Sequence, residues 1–258
     1  MKIDLNAIDR RLFFVEETIV LATGETIYFV RPNPDAQGLV WTQKNKYFRS
    51  SVWDASGNLI SAGFPKFEDL DVNNENFPPP KDLQGAKIYE KMDGALLIVS
   101  QLRKHTILRT RGVLDAESKS NGSELALFRK NILRRLIDYH FGNKTWGYSL
   151  LFEWLSPKHG LVVNYGEQPR FVLVGMINHS DYSLTNQPDL DQFAITIAVE
   201  RPMALGSADL TSLVQEVNGW TDRKGVVIYT NNGQTMHIIH SRWFVERNTK
   251  IEPDTMIF

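Results

Sequence analysis

The chain has 258 residues, enough for one large domain or two small ones, and its net formal charge of −1 excludes binding of nucleic acid or anionic lipid by bulk charge, so any basic site must be a local patch. Cysteine is absent, which removes disulfides, thiolate nucleophiles, zinc ribbons and iron–sulfur ligation at one stroke. The longest apolar runs, such as 95–99, fall far short of the ~20 residues that span a bilayer, and the start Met1-Lys2-Ile3-Asp4 lacks a signal-peptide core, so a soluble cytoplasmic protein with no membrane partner is expected.

In chain order, Thr26-Ile27-Tyr28-Phe29-Val30 and Ser50-Ser51-Val52-Trp53 are rich in β-branched and aromatic residues and predict strands. Asp54-Ala55-Ser56-Gly57-Asn58 predicts the turn that joins the second of these to Leu59-Ile60-Ser61-Ala62 as a hairpin. Pro78-Pro79-Pro80 is the one strong break and closes a β-rich N-terminal part, residues 1–80. Further strands are predicted over 96–102, 106–111, 149–154, 171–177, 225–229 and 236–240.

Three helices interrupt them. Asn121 with Glu124 three residues on reads as an N-cap with a capping box, after which Leu125, Phe128, Ile132, Leu136 and Tyr139 recur at helical spacing. Leu190, Phe193, Ala194 and Ile197 mark a second helix, and Leu210, Leu213, Val214 and Val217 a third. Strands in pairs with isolated helices between them predict an α+β fold of antiparallel sheets flanked by helices. The commonest phosphate loops, GxxxxGK[ST] and GxGxxG, are missing.

One segment carries chemistry. In Tyr89-Glu90-Lys91-Met92-Asp93-Gly94 a lysine stands two residues before an aspartate and a glycine, directly ahead of the predicted strand at 96–102. Upstream lie Phe48-Arg49-Ser50-Ser51-Val52-Trp53-Asp54 and Phe64-Pro65-Lys66-Phe67. Downstream lie Leu151-Phe152-Glu153-Trp154, then Lys224-Gly225-Val226-Val227, then Ile238-Ile239-His240-Ser241-Arg242-Trp243-Phe244-Val245. In this order, over about residues 40 to 250, these elements resemble the motifs of the covalent nucleotidyltransferases, and among these the RNA ligases like the first RNA ligase of T-even phages.

The resemblance implies a single ligase-type nucleotidyltransferase domain over 1–258, its catalytic part at 81–258, with no C-terminal RNA-specificity domain. It implies ATP as cofactor with Mg²⁺ or Mn²⁺, Lys91 as the residue that takes AMP covalently, and Asp93 and Glu153 as its catalytic companions and metal-holding carboxylates. Arg49 and Lys66 would contact the triphosphate, and Gly94, Phe152, Lys224 and His240 would complete the nucleotide-binding set. The adenine-stacking aromatic stays open among Phe171, Tyr148, Trp146 and others. RNA ends, in tRNA or in nicked and broken RNA, are the implied partners, with an end-healing kinase or phosphatase alongside.

The chemistry is consistent with that assignment. A lysine amine is a poor nucleophile while protonated at its ordinary pKa of ~10.4, so a covalent role needs neighbouring cations or desolvation, and Arg49 and Lys66 would supply cations if they converge on the same phosphates. Departures gather in the second half. Lys224 stands where the family has a metal-holding glutamate, and the two lysines of the fifth motif fall on Ile238 and His240, which share a strand face. The segment Val174-Gly175-Met176-Ile177-Asn178 lacks the arginine the family often shows there. Three functions follow: an active ATP-dependent RNA ligase in which Lys224 supplies charge that metal would have brought, an impaired relative that binds nucleotide or RNA, and an adenylyltransferase acting on another acceptor.

Remaining features have simpler readings. Arg129, Lys130, Arg134 and Arg135 form a basic helix face that is most simply a solvated surface, with RNA phosphates as the sharper alternative. The histidines contain no HExxH, and His237 and His240, three apart on one predicted strand, point to opposite faces.

Overall fold

A computed structural model describes residues 1–70, 75–119, 123–139, 146–207, 209–230 and 235–248. Its strands are β1 (Phe13–Val20), β2 (Glu25–Pro32), β3 (Ser51–Asp54), β4 (Leu59–Ala62), β5 (Glu68–Asp69), β6 (Lys87–Glu90), β7 (Ala95–Leu102), β8 (His105–Thr110), β9 (Tyr148–Leu155), β10 (Arg170–Asn178), β11 (Ala204–Leu205), β12 (Gly225–Thr230) and β13 (Thr235–His240). The helices are α1 (Ser123–Phe128), α2 (Arg134–Tyr139), α3 (Gln187–Thr196), α4 (Leu210–Asn218) and α5 (Arg242–Asn248). Every strand and helix predicted from pattern is present, the fold is α+β, and β1–β2, β2–β3, β3–β4, β6–β11, β6–β12, β7–β8 and β12–β13 pair antiparallel while β5 runs parallel to β13. The Asn121 cap lies outside the described residues.

The chain forms two compact units. Unit 1 is built from residues 1–66, 96–152 and 175–184, and unit 2 from 67–95, 153–174 and 185–258. Strand orders are β1-β2-β3-β4, β10-β9-β7-β8 and β11-β6-β12-β13-β5.

In unit 1, Ile27, Phe29, Val52, Leu102 and Ile107 pack as one buried cluster. The turn after β3 is closed by Asp54, whose Oδ1 accepts from the amides of Ser56 and Asn58, both at 2.8 Å, as aspartate side chains do in tight turns. α1 and α2 are joined without a break by a π turn, Arg129–Leu133. That turn carries one residue more than an α turn, so Ile132 and Leu133 both face inward beside Leu125, Phe128 and Leu136. Tyr139, at the end of the run, is exposed.

In unit 2, α4 lays Leu213 and Val217 on Ile88, Val226, Ile228 and Ile239 of β6, β12 and β13. Asp209 caps α4 by accepting from the Ser212 amide at 2.8 Å, and Asn186 caps α3 through the Asp189 amide at 3.0 Å. This sheet places the chemistry. β6 pairs with β12 and runs directly into Lys91, whose amide extends the ladder by donating to the Gly225 carbonyl at 2.8 Å. Gly225 sits at φ 151°, and a Cβ there would lie 2.0 Å from the Ile239 carbonyl oxygen, so no other residue fits between β6 and β13 at this point.

Candidate active site

The site lies within unit 2. After Lys91 the chain turns sharply to enter β7. Asp93 is buried, 7% exposed, and both of its oxygens are engaged. Oδ1 accepts from Lys224 Nζ at 2.7 Å, and Oδ2 accepts from the amides of Val162 and Val163 at 2.8 and 3.2 Å. The Asp93 amide donates to the Tyr165 hydroxyl at 2.8 Å. Gly94 passes so close to β9 that a Cβ would lie 2.6 Å from the Trp154 carbonyl oxygen and 3.0 Å from Glu153 Cγ. Its amide donates to Glu153 Oε1 at 3.0 Å. The glycine is therefore needed for approach, which brings the glutamate onto the loop that follows the lysine.

Burial pushes the Glu153 carboxyl above the ordinary carboxylate range, against the opposing pull of the Lys91 and Lys224 ammoniums and the Gly94 amide. Burial likewise raises the Tyr165 phenol, with the charges of Asp93, Glu90 and Glu153 adding to it. Lys91, Asp93, Gly94, Glu153 and Lys224 thus form one polar cluster. A small apolar patch of Met92, Leu155 and Val172, with Tyr165 against it, closes off one side.

The far wall comes from β13 and α5. Ser241 is fully buried and caps α5: its hydroxyl accepts from the Phe244 amide at 3.2 Å and donates to the Arg223 carbonyl at 2.6 Å, while its own amide donates to the Lys224 carbonyl at 2.9 Å. One serine so ties the start of α5 to the backbone that presents Lys224. Lys224 Nζ lies 4.7 Å from the centroid of the Phe244 ring, and the His240 ring stacks on Phe244 at 5.8 Å and 15°. His240 Nε2 is 3.4 Å from Asp69 Oδ1. Ile238 is buried.

Arg49, Lys66, Phe152, Trp146 and Tyr148 lie in unit 1, and Phe171 in unit 2. Arg49 closes the 3-10 turn Lys46–Arg49 and reaches the Pro65 carbonyl at 3.5 Å, and the Lys66 amide donates to the Lys46 carbonyl at 2.9 Å. Phe152 is wholly buried, its ring edge-on to Phe128 at 5.2 Å. Of the aromatics named for adenine, Phe171 stacks on Trp154 at 5.8 Å and Tyr148 on Trp146 at 6.0 Å.

Tyr165 and the amides of Val162 and Val163, in the segment Val162-Val163-Asn164-Tyr165 that resembles the end of the family's third motif, are partners of Asp93 that no sequence pattern pairs with it. Only the loop's return, about 70 residues on in sequence, brings them there. Among the described residues no group of three His, Asp or Glu side chains could hold a metal ion. Asp93 already accepts from Lys224 and from two backbone amides, so a divalent ion there would share the carboxylate with them.

A model of the RNA ligase family, of the phage T4 RNA ligase 1 type, matches residues 35–255, and the chain belongs to this family. Among solved structures it resembles an archaeal ATP-dependent RNA ligase, with a TM-score of 0.59 at 12% identity over 90% of this chain and 60% of that one. A mutant of the Naegleria gruberi RNA ligase with AMP and Mn gives a TM-score of 0.51 at 13% identity, covering 90% of this chain and 76% of the other. An apo mutant of the same ligase gives 0.51 at 14% identity, over 64% and 51%. The fold is that of the RNA ligase nucleotidyltransferases. The chain spans about half to three fifths of the length of several of these ligases. No curated protein shows detectable sequence similarity to it. No helix among the described residues is long and apolar enough to cross a membrane.

Proposed function

We propose that this chain is an ATP-dependent RNA ligase-like nucleotidyltransferase that forms lysyl-AMP at Lys91 and seals 5′-phosphate to 3′-hydroxyl RNA ends. The observation that carries this reading is the placement of Lys91. Its backbone is pinned to Gly225 at the end of β6, and Asp93 and Gly94 just after it are locked by Tyr165, Lys224 and Glu153. A nucleophile held on a rigid ladder beside fixed charges gains from orientation and from electrostatic preorganisation.

In the first step Lys91 Nζ, having lost its proton, bonds to the α-phosphorus of ATP as the bond to the β-phosphate oxygen breaks, and pyrophosphate leaves. AMP then passes from the lysine to the 5′-phosphate of an RNA end, and a 3′-hydroxyl displaces it to form the phosphodiester. Divalent metal, Mg²⁺ or Mn²⁺, would supply charge neutralisation at the nucleotide phosphates when bound. Glu153 and Asp93 are the carboxylates that would hold such an ion, Asp93 sharing its charge with Lys224. Lys224 holds Asp93 in place and puts a cation near developing phosphate charge. His240 and Gly94 complete the wall and the floor. An end-healing kinase or phosphatase fits as a partner that prepares the RNA ends.

Preadenylylated RNA tests the reading past its first step. It should be sealed to a 3′-hydroxyl without ATP, because that substrate bypasses pyrophosphate release. A second reading, a relative that binds nucleotide or RNA without catalysis, draws on the Lys224–Asp93 pair and on the apolar Ile238. Self-labelling without any sealing of RNA or DNA would point instead to adenylyl transfer onto another acceptor.

A further inference from the structure

Unit 1 carries a run of basic residues on the helix formed by α1, the π turn and α2. Residues 129–135 hold Arg129, Lys130, Arg134 and Arg135 and no acidic side chain. The Arg134 amide donates to the Arg129 carbonyl, five residues back, which is the bond of a π turn. At ~100° per residue an unbroken α-helix would set Arg129 and Arg134 about 140° apart. The five-residue return lines them up instead, and does the same for Lys130 and Arg135. Because the turn also carries Ile132 and Leu133 inward, Arg129, Lys130 and Arg134 are left exposed and Arg135 half-buried. Such turns inside α-helices recur at functional sites.

Two of the four cations are engaged: Arg129 pairs with Glu117, and Arg135 Nε donates to the Asn131 carbonyl. Lys130 and Arg134 make no side-chain ion pair or hydrogen bond among the described residues. Leu127 stands three residues before Lys130 and Ile137 three after Arg134, both exposed, so the outer stripe reads apolar, cation, cation, apolar. The broad apolar face of the helix, Leu125, Phe128, Ile132 and Leu136, is already buried in the unit, which leaves none to insert into a lipid surface. A chain of net charge −1 holds a polyanion only through a local patch of this kind. Leu127 and Ile137 can meet bases only where these are unpaired, which favours a single strand over a duplex.

We propose that Lys130 and Arg134 are the phosphate-contacting pair of an RNA-binding face on this helix, which holds a single strand without regard to its sequence; this rests on the RNA-ligase reading above. The test is fluorescence anisotropy of the whole protein with labelled oligouridylate and labelled oligoadenylate across a salt series. Lys130→Gln combined with Arg134→Gln should weaken both about tenfold at moderate salt and flatten the plot of log affinity against log salt by about 1.4, the share of two single-strand phosphate contacts. Lys130→Arg combined with Arg134→Lys keeps both charges and should stay near wild type. So should Lys104→Gln, at the exposed turn after β7. Should the double variant fail to fold, Lys130→Gln alone reads about half of the slope change.

Affinity and slope that are unchanged in the double variant, or RNA that wild type does not bind, overturn the proposal. So does a loss matched by Lys104→Gln, or a pair that is needed for anionic vesicles or for a protein partner and not for RNA. Labelling of Lys91 by ATP is scored apart and should survive the double variant. Wild type that labels but binds RNA without this pair sinks the present inference alone. Wild type that binds RNA through the pair yet never labels sinks only the lysyl-AMP reading.

Discussion

Each unit draws a cation away from bulk water, fully in unit 1 and partly in unit 2, and they do it by different means. In unit 1, Arg109 is fully buried and is caged by neutral oxygens: Nε donates to Ser61 Oγ at 2.8 Å, Nη1 to Ser50 Oγ at 2.6 Å and to the Thr110 carbonyl at 3.2 Å, and Nη2 to the Ser50 carbonyl at 3.2 Å. Hydroxyls continue the network from Ser61 through Ser100 and Ser149 to His179 Nε2. Burial pulls the Arg109 pKa down to about 9, which leaves it charged at neutral pH. In unit 2, Lys224 is matched instead by the carboxylate of Asp93.

A cage of dipoles spread over four strands and a turn cannot be traded for a ligand without opening the core. A cation that faces one carboxylate can be shared with a phosphate. The first arrangement is architecture, and the second is poised for chemistry.

The largest expected effect is on the cage. Arg109→Met strips the donors from two buried carbonyls and two hydroxyls and should cost about 4 kcal/mol, read as a lower midpoint in urea unfolding. Lys224→Ala should cost about 3 kcal/mol, because it leaves a buried carboxylate without its cation. It should also depress self-adenylylation and raise the divalent-metal requirement. If stability falls while adenylylation is untouched, Lys224 serves Asp93 alone. Gly94→Ala forces a methyl onto the Trp154 carbonyl and should cost about 2 kcal/mol, with a loss of labelling greater than that destabilisation explains.

The smallest effect is pH-dependent. His179 is held neutral, its pKa lowered to about 3, chiefly by burial, with the Arg109 cation contributing. A lowered folded-state pKa gives stability that is complete above the unfolded value near 6.5 and drains away as pH falls toward about 3. Between pH 7 and pH 5 the wild type should lose about 2 kcal/mol more than His179→Gln, measured by denaturant melts at the two pH values.

Much of this was legible in the sequence. Alternation and helical spacing located the hairpin at 51–62, the long strands and the helical faces. β1 was not read, because Glu16-Glu17 interrupts its alternation on a sheet edge. β5, β6 and β11 are too short for a period to emerge, and α5 was absorbed into the run that follows β13. Lys91, Asp93, Gly94, Glu153 and Lys224 were named from motif order, and they cluster in unit 2. What pattern could not give is partnership: Lys224 meets Asp93 across 131 residues, and Arg109 meets Ser50 across 59. A strand arginine looks solvent-exposed until the fold surrounds it with serines.

The central claim is that Lys91 carries AMP. The direct measurement is incubation with α-labelled ATP and Mg²⁺ or Mn²⁺, followed by denaturing electrophoresis of wild type, Lys91→Ala and Lys87→Ala. The account predicts a label that survives denaturation in wild type and in Lys87→Ala, whose side chain is exposed at the start of β6, and no label in Lys91→Ala. Folded wild-type protein that takes no label from any nucleoside triphosphate or from NAD, or a Lys91→Ala protein that labels as well as wild type, would contradict it.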